Sequence, residues 1–176
     1  MKTFSKALLG VCFGLLLALP MIAQHRDPLN EVETDQLREV AQEPYRRLKL
    51  MIKFTTERLD TVEAAQKDER AKDRGQRMHD SLQDFRELVD ELDDNIDDFV
   101  DKQMDLRKPL SEVISAETGF ESRLQAIKEH AEDPKLADEY KLYSFVLQDA
   151  TEAVNLSLED AKKTLGEQND NLSKKK

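Results

Sequence analysis

The sequence has one cysteine, no tryptophan and only five glycines among 176 residues. Cys12 lies in the first apolar stretch, so a chain cleaved beyond it has no disulfide, no thiolate metal ligand and no cysteine nucleophile. The few glycines argue against an all-β fold, and 36% charged residues favour long solvated helices. The G-x-S-x-G motif of serine hydrolases and glycine-rich phosphate-binding loops are also missing. We therefore expect no catalytic residue, no cofactor and no enzymatic activity.

The first residues have the pattern of a secretory signal peptide. Lys2 and Lys6 precede an apolar run over 7–19, and Ala23 precedes a polar segment. Cleavage after Ala23 predicts an exported protein, periplasmic or extracellular, with a bacterial source favoured. The run is shorter than the roughly 20 apolar residues of a membrane-spanning helix, so we expect no membrane span after removal of the signal.

Lipid attachment at Cys12 is the alternative interpretation of this segment. A lipobox normally has Gly or Ala immediately before its cysteine, whereas Val11 stands there in this chain. The apolar run also continues well past Cys12. We therefore expect cleavage after Ala23 in preference to lipidation.

The chain has a net charge of −10, and removal of the two signal-peptide lysines makes the remainder more acidic. An acidic surface repels the phosphates of nucleic acids and of anionic lipids. We therefore expect no nucleic-acid partner.

Apolar residues recur in steps of three and four in three separate stretches of the sequence. This spacing places them on one side of a helix, whereas a strand would alternate with period two. Two of the stripes lie within 45–62 and 136–161. The longest one, here called the middle stripe, contains Met78, Leu82, Phe85, Val89, Leu92, Ile96, Phe99, Gln103, Leu106, Leu110 and Val113. The sequence therefore predicts an all-α fold, arranged as an antiparallel helical bundle or coiled coil.

Pro109 distinguishes two versions of this bundle. Leu106 and Leu110 flank it on the same stripe, and residues 105–112 contain no Gly or Asn that would reverse the chain. We therefore predict three long helices, with a middle helix from about Gln76 to Ala131 that is kinked at Pro109. A four-helix bundle with a turn at Pro109 is the alternative.

These features divide the chain into four segments. Residues 1–23 form the signal peptide, 24–43 an N-terminal segment with a short helix, 44–168 the helical bundle domain, and 169–176 a polar basic tail. Asp133 and Pro134 supply a capping oxygen and a preset helical φ, so they are expected to start the last helix. Gly166 is expected to end it.

Asp90, Asp94, Asp97 and Asp101 belong to a run of acids that suggests weak cation binding. A helix cannot fold around an ion as an EF-hand loop does, and the spacing of that loop is missing here. The four aspartates also lie opposite the middle stripe, where a helix faces water. We therefore interpret them as a solvated face and predict no metal site.

Two short segments, 48–54 and 142–147, are apolar on most sides of their helices. Such a helix is either buried among neighbours, which we favour, or contacts another chain. Leu50, Phe54, Leu142 and Phe145 are the candidate residues for protein contact. The predicted function is that of an exported, non-enzymatic scaffold, adaptor or chaperone-like binder, which acts through a protein partner or self-association. The alternative is a bundle that binds a cation or small ligand through its acidic face.

Overall fold

The computed structural model describes residues 27–173, of which 86% are helical, and this part of the chain contains no strand. The predicted all-α class is confirmed. The predicted signal peptide, Cys12 and the last three residues of the basic tail lie outside the described residues. The helices are α1 (Glu31–Glu39), α2 (Pro44–Lys67), α3 (Arg74–Asp101), α4 (Arg107–Ala131) and α5 (Ala137–Ser173).

Several helix ends follow from local sequence. Asn30 caps α1, and its side chain accepts hydrogen bonds from the first-turn amides. Pro44 starts α2, where its missing N–H costs no hydrogen bond. Asp133 accepts from the amide of Lys135 and starts a short 3-10 turn that leads into α5, which confirms the predicted cap. The predicted end at Gly166 is wrong, because α5 continues to Ser173.

Each of the four long helices packs against two of the others. α2 contacts α3 and α4, and α5 also contacts α3 and α4. α3 and α5 run in the same direction, since Arg74 near the start of α3 pairs with Glu139, and Asp93 further along pairs with Ser157. α3 and α4 are joined by a short turn, and both α2 and α5 pack against the two of them.

The structure corrects the predicted continuous middle helix. α3 ends at Asp101, the chain turns over residues 102–106, and α4 begins at Arg107. Pro109 lies in the first turn of α4, where the backbone N–H groups have no partner within the helix. The predicted kink at Pro109 is therefore wrong, and the turn lies several residues before Pro109 instead of at it.

The turn after α3 is a helix C-cap built on a residue other than glycine. Gln103 has a φ of 57°, in the left-handed region. The amide of Met104 donates to the carbonyl of Phe99 (3.0 Å), and the amide of Gln103 donates to that of Val100 (2.8 Å). This is the Schellman pattern, in which the left-handed position is usually glycine. The middle stripe thus contains a chain reversal that its apolar spacing does not reveal.

Gln103→Gly is expected to raise the free energy of unfolding by about 1 kcal/mol, because glycine adopts the left-handed conformation without a Cβ penalty. Urea unfolding measures the change. Gln125→Gly, in the interior of α4, is the control and should lower stability by about 1 kcal/mol. A destabilised Gln103→Gly variant would contradict the C-cap.

The buried apolar side chains form two clusters. One includes Phe85 and Phe120, whose rings meet edge to face with centroids 5.4 Å apart. The other includes Leu92 and Phe99 of α3 together with Leu110 of α4. Every apolar residue of the middle stripe is buried, on both sides of the turn. The helical spacing therefore identified the core even though it did not identify the turn.

Candidate functional site

The four aspartates Asp90, Asp94, Asp97 and Asp101 are exposed on α3. Asp90 accepts a hydrogen bond from Arg86 at 2.5 Å, one turn earlier. Among residues 27–173, no three His, Cys, Asp or Glu side chains come together as metal ligands would. The structure thus places these aspartates in water, and weak cation binding stays a prediction.

The four candidate contact residues have different environments. Phe54 is buried in a core cluster, so its side chain is not presented to a partner. Leu50 is half-buried at the edge of the same cluster. Leu142 is 55% exposed and Phe145 is 79% exposed. The apolar segment of α2 is therefore mainly core, whereas that of α5 leaves large apolar groups in water.

The exposed surface of α5 extends beyond the predicted residues. Leu156, which the sequence did not single out, is 57% exposed and lies eleven residues after Phe145 on the same side of the helix. Asp149 and Glu152 are exposed between them, and among the described residues neither carboxylate takes part in an ion pair. We call Leu142, Phe145, Asp149, Glu152 and Leu156 the α5 stripe. It has apolar groups at both ends and two acids in its middle.

A groove of about 460 Å³ lies beside the α5 stripe, between α4 and α5. Phe145 and Leu156 line it from α5, and Gln125 and Lys128 line it from α4. Exposed apolar side chains next to a concave surface are typical of protein contact sites.

A second group of polar residues lies inside the molecule and joins three helices. Glu117 of α4 and Ser157 of α5 are fully buried. The Ser157 Oγ is 2.6 Å from Oδ1 of Asp93 on α3, and it also contacts Oε1 of Glu117. The other oxygen of Glu117, Oε2, is buried without a hydrogen-bond partner among the described residues. We call Asp93, Glu117 and Ser157 the acid–serine cluster.

Burial controls the acidity of both carboxyl groups. Loss of hydration raises the pKa of Glu117 to about 7. The hydrogen bond to Ser157 lowers this pKa, but by less than burial raises it. Burial also raises the pKa of Asp93 to about 6, and Asp160, Asp97 and Asp90 add to this increase. Both groups therefore change charge near neutral pH.

The acid–serine cluster lies where the two apolar core clusters meet. On α4, Glu117 is flanked by Val113 in one cluster and Phe120 in the other. On α5, Ser157 stands in the same way between Val154 and Ala161. Glu117 thus occupies a core position of its helix, and the helical spacing Val113, Glu117, Phe120 in the sequence would have been enough to find it.

No family model, curated protein or solved structure matches this chain. In the described part of the chain, none of the helices has the length and apolar composition needed to cross a bilayer.

Proposed function

We propose that this is an exported, non-enzymatic protein whose long helices form one four-helix bundle, and that it acts by protein–protein contact through the α5 stripe. The partner is an amphipathic helix with basic residues between its apolar ones. The supporting observation is the exposure of Leu142, Phe145 and Leu156 on one helix beside the α4–α5 groove. The proposal of export rests on the signal peptide that the sequence predicts over residues 1–23.

The acids of the α5 stripe define the charge of the partner. Asp149 and Glu152 lie between the apolar ends, so a partner helix with Lys or Arg at its centre would pair with them. Two copies of this chain that met through the same stripe would instead place acids against acids. A basic partner is therefore favoured over self-association through this face.

The length of the stripe defines the size of the partner. From Leu142 to Leu156 a helix rises about 21 Å, which is roughly four turns. Docking of one helix into a groove uses apolar anchors at such helical spacing. Phe145 and Leu156, which both line the groove, are the two apolar anchors on this chain.

Binding is tested with two synthetic amphipathic helices of about 18 residues, one of Leu and Lys and one of Leu and Glu in the same pattern. Isothermal titration calorimetry should detect binding of the Leu–Lys peptide only, and the affinity should fall as salt is added. The double variant Phe145→Ser, Leu156→Ser should bind at least about tenfold more weakly, since both anchors are lost.

Val32→Ser is the matched control for this experiment. Val32 is an equally exposed apolar residue, at 65%, but it lies on α1. Its replacement should leave peptide binding unchanged. Equal binding by the double variant, or binding of both peptides with the same affinity, would show that the α5 stripe is not the contact surface.

A further inference from the structure

Ser157 has one hydroxyl proton but two carboxyl groups in hydrogen-bond contact. Its Oγ meets Oδ1 of Asp93 on one side and Oε1 of Glu117 on the other. If both carboxyls were ionised, the hydroxyl could donate to only one, and the other would face the serine lone pairs. Two acceptors in a buried contact repel each other. The geometry therefore requires a second proton, carried by one of the carboxyls.

Glu117 is the better site for that proton. It is fully buried, whereas Asp93 is half-buried. Its Oε2 has no hydrogen-bond partner among the described residues, so a negative charge on this carboxyl would lack compensation. As an acid, Glu117 donates to Ser157, and Ser157 donates to Asp93.

We infer that the acid–serine cluster is a proton-controlled latch, in which protonated Glu117 holds α3, α4 and α5 together and loss of its proton loosens them. Ser157 directly follows Leu156, so one turn of α5 carries both the latch and an end of the α5 stripe. The inference concerns folding stability and does not depend on the proposed partner.

The charged groups around the latch come from two helices besides α4. Asp93 on α3 acts against ionisation of Glu117, and Lys162 on α5 favours it. Asp160 on α5 and further aspartates of α3 act on Asp93 in turn. On α2, the other helix in contact with α4, the buried and uncharged Thr55 stands between Met51 of one core cluster and Leu59 of the other. At Glu117 itself one acid and one lysine act in opposite directions, so burial is the main cause that favours the protonated state.

Stability should therefore fall as the pH rises. The pKa of Glu117 is about 7 in the folded chain and 4.5 as its ordinary value. Between these two pH values the folded state holds the proton that the unfolded state has lost, so stability decreases across this window and stays low above it. The unfolding equilibrium constant should increase on the order of 100-fold from about pH 4.5 to pH 8 through this group alone.

Urea unfolding of the wild type and of Glu117→Gln at both pH values tests the latch. The variant keeps the shape but cannot ionise, so it should lack this 100-fold change. Glu121→Gln, the same substitution at an exposed position one turn later on α4, should behave as the wild type does. An equal pH dependence in wild type and Glu117→Gln would overturn the inference.

A direct titration covers the case in which Glu117→Gln does not fold. The carboxyl carbon of Glu117 in the intact wild-type protein is followed by ¹³C NMR against pH. A midpoint near 7 supports the latch, and a midpoint near 4.5 overturns it. Amide hydrogen exchange around Ser157, corrected for its intrinsic pH dependence, should become faster above the midpoint.

Discussion

Phe85→Ala is expected to lower the free energy of unfolding by about 3 to 5 kcal/mol, the typical cost of emptying a buried aromatic site. The Phe85 side chain is fully buried and meets the edge of Phe120 on another helix. The truncation removes apolar burial, leaves a cavity and also removes the ring–ring contact. Chemical unfolding monitored by circular dichroism measures the loss.

Phe145→Ala is the matched control for Phe85→Ala. The same atoms are removed, but the Phe145 ring is 79% exposed. The change in unfolding free energy should stay within about 0.5 kcal/mol. If Phe85→Ala does not fold, Phe85→Leu gives a smaller loss that is still measurable. Similar losses of stability at positions 85 and 145 would contradict the burial of Phe85 and therefore the packing of α3.

The contrast between these two phenylalanines shows how far the sequence predicts the fold. Phe85 lies in a regular stripe of three- and four-residue steps, which reports one buried face directly. Phe145 lies in a segment that is apolar on most sides, where periodicity cannot separate core from surface. The same ambiguity placed Phe54 among the contact candidates, although it is buried. Only the packing of α2 and α5 against their neighbours distinguishes the two cases.

The turn at residues 102–106 could not be predicted for a different reason. The signals for a chain reversal are glycine or asparagine at the left-handed position, and this chain uses Gln103. The apolar spacing stays in phase across the turn because Phe99 and Leu106 are both core residues of one cluster. Phase continuity is thus evidence for shared burial but not for one continuous helix.

The acid–serine cluster could be predicted from the sequence only in part. Asp93 is one of a run of acids, and nothing in the sequence separates it from its exposed neighbours. Glu117 does stand out, because it interrupts an apolar face of α4 between Val113 and Phe120. Its contact with Ser157 required the three-dimensional arrangement, since the two residues are 40 positions apart.

Arg74→Ala is expected to lower the free energy of unfolding by about 3 kcal/mol, because it leaves a partly buried carboxylate without its cation. Arg74 at the start of α3 binds Glu139 of α5 through two hydrogen bonds, Nε–Oε1 at 2.6 Å and Nη2–Oε2 at 2.5 Å. The Arg74 side chain is only 10% exposed. Gly75 permits this approach of α3 to α5, since a Cβ there would lie 2.9 Å from the Glu139 Cγ.

Arg107 provides the matched control for Arg74. It also binds a carboxylate through Nε and Nη2, that of Asp105, but its side chain is 39% exposed and that of Asp105 is 62% exposed. Arg107→Ala should therefore cost less than about 1 kcal/mol. The two pairs share their hydrogen-bond pattern but differ in burial and in range, since Arg74 and Glu139 join two helices whereas Arg107 and Asp105 are two residues apart.

A double-mutant cycle separates the pair from the other effects of truncation. Glu139→Gln removes the charge that Arg74→Ala would leave unpaired, so the double variant should be more stable than the sum of the single losses predicts. A coupling free energy of about 1 to 3 kcal/mol is expected for groups in direct contact. A coupling near zero would mean that hydration stabilises the Glu139 carboxylate as well as Arg74 does, and that apolar packing alone holds α3 and α5 together near Arg74.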